Sequence, residues 1–358
     1  MTDRVMSEKE DHSEGFYLPS WINHLEAWVG RLQGPTIIVF YIAVWLTFTT
    51  ILTLFRWLDG VYPPGTFSIN DVVMSATGIF FLALIHYLDH WAIHKFIQYR
   101  EDLKVTDLEF ERIGYELTKL PAKKTTVASL IAFSFGLLTF LFFPQSYDFL
   151  NLNFSSLSGI WQLLNFLGSW YVFGALSYHA YRQLSLGSQI VTENVTINLL
   201  DLDPIYAFAG LTLRTALGWL IMAYAWALVT PDLMGNYVIA ATILFMQVVA
   251  VLTFLLPLLR AHRRIVESKN GLLLDVRERL GASFQAGSRQ GGKTADDDLD
   301  LVQNDLSTLT LMMLEERLEK TPTWPWRANM VNVLVSAIVL PNAIWVAQLL
   351  LEHSIFGN

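Results

Sequence analysis

The residues best suited to chemistry gather in one stretch. Residues 72–99 read as a membrane-spanning helix whose end carries His86, Asp89, His90 and His94, followed by Lys95 and Arg100. The three histidines are four residues apart, so they share one helical face and climb about 12 Å along it at roughly 1.5 Å per residue. One metal ion cannot touch all three. Adjacent members can share an ion if other elements add ligands. His179 is the best supplement, because topology brings it to the same end of the bundle. The metal or haem candidates are therefore His86, His90 and His179, with Asp89 as a further ligand or as the carboxylate that orients a histidine. Imidazole titrates near neutrality, so the stripe equally suits a proton sensor or relay. The plainest reading puts His90 and His94 in the wet interface and gives His86 a hydrogen bond to a neighbouring helix. No cofactor is expected on that reading.

Arg214 is the other charge inside an apolar run. A charge at mid-membrane costs about 2.5–3.5 kcal/mol on insertion scales. Pairing with Asp89 offsets that cost for both groups and is the preferred arrangement. The alternatives are a side chain that snorkels to the surface and a bound anion such as a lipid phosphate. Asp89, His94 and Arg214 thus form a candidate polar cluster in the membrane. Tyr171, Tyr178, Tyr181 and Arg182 crowd the end of the helix that carries His179 and read as an interfacial aromatic belt, as do Trp324 and Trp326.

Several chemistries lack their residues. The chain has no cysteine, which excludes disulfides, thiolate metal sites and a cysteine nucleophile. There is no P-loop, no GxSxG, no GxGxxG and no potassium-filter sequence. Eight scattered histidines cannot supply the clustered motifs of membrane di-iron desaturases. A net charge of −8 argues against a nucleic-acid partner.

The elements that position these groups follow from composition. Of 358 residues, 53% are hydrophobic and 16% charged, where soluble proteins carry about 25% charged. An all-α, polytopic membrane protein is expected, with the lipid bilayer as its main partner. The N-terminal stretch is too polar for a secretory signal peptide, so the first spanning helix is expected to be retained. Seven apolar runs approach the roughly 20 residues a crossing needs. They are 36–55, 72–94, 125–146, a run within 149–181, 204–229, 235–259 and 328–351, the last interrupted by Pro341-Asn342. A re-entrant hairpin is the alternative for that last run. Lysine and arginine crowd the segments 95–124 and 260–269 and are absent from 145–157 and 230–235. That asymmetry places the N-terminus in the cytoplasm of a cell (plasma) membrane.

Four regions result. Residues 1–35 hold a disordered tail and an amphipathic helix over 16–32 lying in the interface, with Leu18, Trp21, Ile22, Leu25, Trp28, Val29 and Leu32 on its apolar face and Asn23, His24, Glu26 and Arg31 off it. Residues 36–260 form a six-helix membrane domain. Within it, Thr106 and Glu109 have capping-box spacing for a surface helix that Pro121 ends, and 189–200 is a ribbon or extended loop. Residues 261–322 form a cytoplasmic antiparallel hairpin with a flexible linker at 281–298 and a heptad seam of Leu299, Val302, Leu306, Leu309 and Met313. Residues 323–358 hold the last membrane helix.

The stretches ELTKLP at 116–121, LDLDPIYAFAGLT at 200–212 and TPTWPWR at 321–327 resemble segments of uncharacterised prokaryotic multi-spanning membrane proteins. The resemblance runs from about residue 36 onward, implies a shared architecture and carries over no site. On this sequence the leading expectation is a non-enzymatic membrane scaffold or sensor, acting through the 261–322 hairpin on a protein partner or a second copy. The alternatives are a channel or transporter with a polar path through His86, Asp89, His179 and Arg214, and a redox or metal protein.

Overall fold

The computed structural model describes residues 17–32, 36–195, 199, 201–230, 236–289 and 298–356. Among them the regular structure is helical: α1 (Trp21–Val29), α2 (Thr36–Leu58), α3 (Ile69–Gln98), α4 (Asp107–Thr118), α5 (Ala122–Phe142), α6 (Leu157–Gln189), α7 (Asp203–Val229), α8 (Tyr237–Arg289), α9 (Asp298–Lys320) and α10 (Ala328–Phe356). Six of these are long and apolar enough to cross a membrane: α2, α3, α5, α7, α8 and α10. The fourth expected crossing, α6, is long enough at 33 residues. It is not among the six, because it carries Gln162, Asn165, Ser169, His179 and Gln183.

The chain divides into two compact units. The first contains residues up to Ile93, Glu111–Gln183 and Ile221–Met246. Its core is built on α3 and α6, where Ile85, Leu88, Ala175 and Leu176 are fully buried. Small residues set the helix spacing. A Cβ on Gly174 would run into the backbone carbonyl of Ala128, and one on Gly136 would run into the ring of Trp170. At the end of the bundle where α2 stops and α3 starts, Arg56 and Asp71 form a buried ion pair at 3.3 Å. Arg56 also donates to the Leu150 carbonyl at 2.6 Å, and Gln162 Nε2 donates to Asp71 at 3.1 Å. Each charge sits in the terminal turn whose dipole favours it: the cation at a helix C-terminus, the anion at an N-terminus.

The second unit contains His94–Phe110, Leu184–Leu220 and the chain from Gln247. The capping box of α4 is present: Thr106 N donates to Glu109 Oε2 at 2.9 Å and Glu109 N to Thr106 Oγ1 at 3.3 Å. The β-branched run after α6 makes a π turn at Ile190–Asn194 and one isolated bridge, Leu103 with Val195. Residues 196–198 and 200 lie outside the described residues. Trp324 and Trp326 stack with His262 and Phe254 of α8, with 4.0 Å between the His262 and Trp324 rings. Pro341 does not break α10; Asn342 Nδ2 donates back to the Ile338 carbonyl at 2.7 Å.

The hairpin differs from its expected form in two ways. Gly281–Arg289, expected as linker, is the last part of α8. It is held by packing that composition does not show: Val276 and Leu280 are buried, and Ser283 and Thr308 hydroxyls meet at 2.6 Å. Residues 290–297 lie outside the described residues. Arg277 ties α8 to α9 through Glu315 and Glu319 at 2.6 and 2.8 Å. Of the expected seam, Leu306, Leu309 and Met313 are exposed, so it does not pack on α8; the side chains of Leu299 and Val302 are outside the described set.

Candidate functional site

The site lies in the first unit, at the end of α3 remote from Arg56. It is assembled by a short helix from outside the apolar runs. α1 begins after Ser20, and Asn23 serves as its anchor. Asn23 Oδ1 accepts from the Ser20 N–H and hydroxyl at 3.3 and 3.1 Å and from the Leu120 N–H at 2.8 Å. Its amide donates to the Thr118 carbonyl at 3.1 Å and to Glu26 Oε2 at 3.0 Å. The Ser20 N–H to Leu120 O and Ala122 N–H to Leu18 O bonds, at 2.9 and 3.0 Å, bind the same strand of chain to the α4–α5 corner. These groups need partners once buried, and each end of the contact supplies the other's.

Asn23 and Glu26, off the apolar stripe, share the inward face with Ile22 and Val29, while Trp28, on the stripe expected to meet the membrane, is 55% exposed.

The inward face carries Glu26 to Asp89. Asp89 Oδ1 accepts from His179 Nε2 at 2.7 Å and from Gln183 Nε2 at 2.8 Å. His179 and Gln183 are a helical turn apart on α6 and almost wholly buried. The carboxyl groups of Glu26 and Asp89 lie within hydrogen-bonding reach of each other. Each has one oxygen left without a partner, Glu26 Oε1 and Asp89 Oδ2. Two carboxylates cannot satisfy each other, because both only accept; one proton between them makes a donor. Burial, with the adjacent Asp89 charge adding, pushes the Glu26 carboxyl up to about 9, and Lys119 opposes this. Glu26 is thus built to hold a proton at neutral pH. His86, His179 and Gln183 each add a buried atom without a partner, Nδ1, Nδ1 and Oε1. Arg182, one residue before Gln183, closes the site by donating to the Glu116 and Lys119 carbonyls at the end of α4.

The sequence candidates divide cleanly. Asp89 and His179 are brought together, and His86 stands three residues along the same helix with its ring edge-on to Tyr41 at 6.1 Å. His90 and His94 are exposed on α3, so the metal set His86, His90 and His179 does not converge. Among the described residues no group of three histidine, aspartate or glutamate side chains is placed to hold a metal. Asp89 takes His179 and Gln183 where Arg214 was the preferred partner. Arg214 belongs to the second unit, where its guanidinium donates to the Gly210 carbonyl at 2.9 Å.

Glu26, Gln183 and Asn23 are the members sequence reasoning missed. The signal available was the polar i, i+3 pair Asn23 and Glu26, following Ser20 at the same spacing. No family model, curated protein or solved structure matches this chain.

Proposed function

We propose that this chain is a non-enzymatic membrane sensor of protonation, with α1 as the element that answers the proton and the α8–α9 arms as the surface that passes the state on. The observation that carries the reading is the carboxyl pair of Glu26 and Asp89, one member on the membrane-surface helix and the other inside the bundle. A proton shared between them latches α1; its loss leaves two facing negative charges and drives the helix off. The output surface is the exposed stripe of Leu306, Leu309 and Met313 on α9, which suits a protein partner or a second copy.

In this proposal α6 is a seventh crossing, and the site faces the cytoplasm of a cell membrane. The lysines and arginines of 95–124 and 260–269, against none in 145–157 and 230–235, support that orientation. The test is cysteine labelling of the full-length protein in lipid nanodiscs, at Leu309→Cys, across pH, with and without Glu26→Gln. The sensor reading expects labelling at residue 309 to change with pH and Glu26→Gln to abolish the change. Labelling at 309 that ignores pH through the range that releases α1 would sink it.

A second reading is a proton-coupled carrier. It is favoured by the other buried charged cluster, Arg56, Asp71 and Gln162. Asp71 and Asp89 are 18 residues apart on α3, about 27 Å at roughly 1.5 Å per residue, close to the thickness of a bilayer core. Ser75 and Asn165, joined at 3.4 Å, continue the polar line from the Arg56 end. This reading expects pH-dependent flux in liposomes that Asp89→Asn removes, and a silent assay over a broad ion panel counts against it.

A further inference from the structure

The first unit also holds an apolar cavity, partly open to the surroundings, with about 90 Å³ of internal space. Met74 and Phe81 line it from α3, Phe166 and Trp170 from α6, Met222 and Trp226 from α7, and Met246 from α8. On every one of these helices the lining falls near the terminus at the Arg56 end: five to twelve residues into α3, nine to sixteen into α6, two to nine into α8, and three to seven from the end of α7. The cavity therefore lies toward the Arg56 end of these helices, remote from Glu26. It runs about 10 Å along α3, from Met74 to Phe81, at roughly 1.5 Å per residue.

No charged side chain lines it. The polar side chains there are Thr77, Thr242, Ser169 and Tyr147. Thr77 and Thr242 donate their hydroxyls to the Val73 and Val238 carbonyls of their own helices. Ser169 Oγ is buried without a partner, but with no charged side chain beside it the lining offers no counter-charge for a phosphate or a charged headgroup. Aromatic faces and methionines do suit a flexible apolar chain, since methionine repacks around varied shapes.

We propose that this cavity is a binding site for one acyl tail of a membrane phospholipid, with the headgroup left outside. Phospholipid tails are the apolar chains that spanning helices meet, and α3, α7 and α8 are long and apolar enough to span. The assignment is independent of the proton site at the other end of α3.

The test uses the full chain in nanodiscs containing a phosphatidylcholine probe with a diazirine near the middle of one tail, irradiated and mapped by peptide mass spectrometry. Adducts are expected on 166–173 and 222–226, beside the annular adducts that the exposed Ile38, Val39 and Leu46 of α2 will take. Ala223→Phe, which fills the cavity, should cut the first set severalfold and leave the α2 set unchanged. Met246→Phe serves the same purpose should Ala223→Phe fail to fold, as judged by size-exclusion and thermal melting. Adducts confined to α2 and other lipid-facing positions, or cavity adducts that a folded filling variant leaves undiminished, would overturn the proposal. Labelling of 166–173 by a polyprenyl-phosphate probe but not by the acyl probe would overturn the assignment to a phospholipid tail.

Discussion

Glu26 and Asp89 present carboxyl groups to each other across a buried contact between the short helix α1 and the long helix α3. They are 63 residues apart in the chain and belong to elements of opposite character. Glu26 Oε1 and Asp89 Oδ2 are the oxygens without a partner, and a single proton would let one carboxyl donate to the other.

The pH dependence follows with a definite sign. The Glu26 carboxyl is raised from 4.5 to about 9 on docking. A raised carboxyl favours the docked state fully below the undocked value and loses that advantage as pH climbs through the docked value. Asp89 and Lys119 are the charged groups that set the shift after burial, and Tyr41 lies within range. Docking of α1 should therefore weaken steadily between about pH 4.5 and 9, and Glu26→Gln should flatten the curve. Limited proteolysis of the α1 segment across that range reads the change.

Asn23→Ala removes five hydrogen bonds at once. Leaving the Leu120 N–H and Thr118 carbonyl buried without partners should cost about 1–3 kcal/mol for each group so stranded. α1 should become protease-sensitive at every pH, while the melting of the remaining bundle stays close to wild type.

Arg56→Met should destabilise the bundle by about 3–5 kcal/mol, because it strands Asp71 in a buried site. Side-chain exposure there is 0% for Arg56 and 3% for Asp71, so solvent cannot compensate. The double variant Arg56→Met/Asp71→Leu should recover most of the loss. Thermal melts of the four proteins of this cycle in one detergent decide it.

Two glycines of α6 make a matched pair. Gly174→Ala should cost about 1–3 kcal/mol by overpacking, since its new methyl meets the Ala128 backbone. Gly168→Ala meets nothing within 4 Å and should be neutral or slightly stabilising through helix propensity. Equal melting temperatures for the two variants would contradict the close α5–α6 approach.

The sequence made the helices legible where a local rule decides them. The apolar runs from Thr36 and Ala328, the Thr106–Glu109 box and the stop at Pro121 are of this kind. What it hid were facts settled between elements. Periodicity showed the apolar stripe of α1 but not the polar contacts of its other face, because apolar spacing weighs hydrophobicity alone. Asn23 anchors that face through bonds to backbone 95 and 97 residues away. The histidine stripe had the correct helix and end, but only His86 and its neighbour Asp89 face inward. His179 was legible as their partner from topology, whereas nothing in the spacing singled out Gln183. Gly281 read as the start of a linker because glycine weakens helices by about 1 kcal/mol, and the burial of Val276 and Leu280 and the Ser283–Thr308 contact offset that weakness.

The measurement closest to the central claim exploits a chain with no cysteine. Ile22→Cys places one thiol on the buried face of α1, where Ile22 is 1% exposed, and Trp28→Cys places a control on its open face. Maleimide labelling of residue 22, normalised to residue 28, should rise as pH passes through about 9 in the wild-type background. It should stay low and flat with Glu26→Gln. A residue 22 that labels as fast as residue 28 at every pH, or the same rise in both backgrounds, would contradict the proton latch.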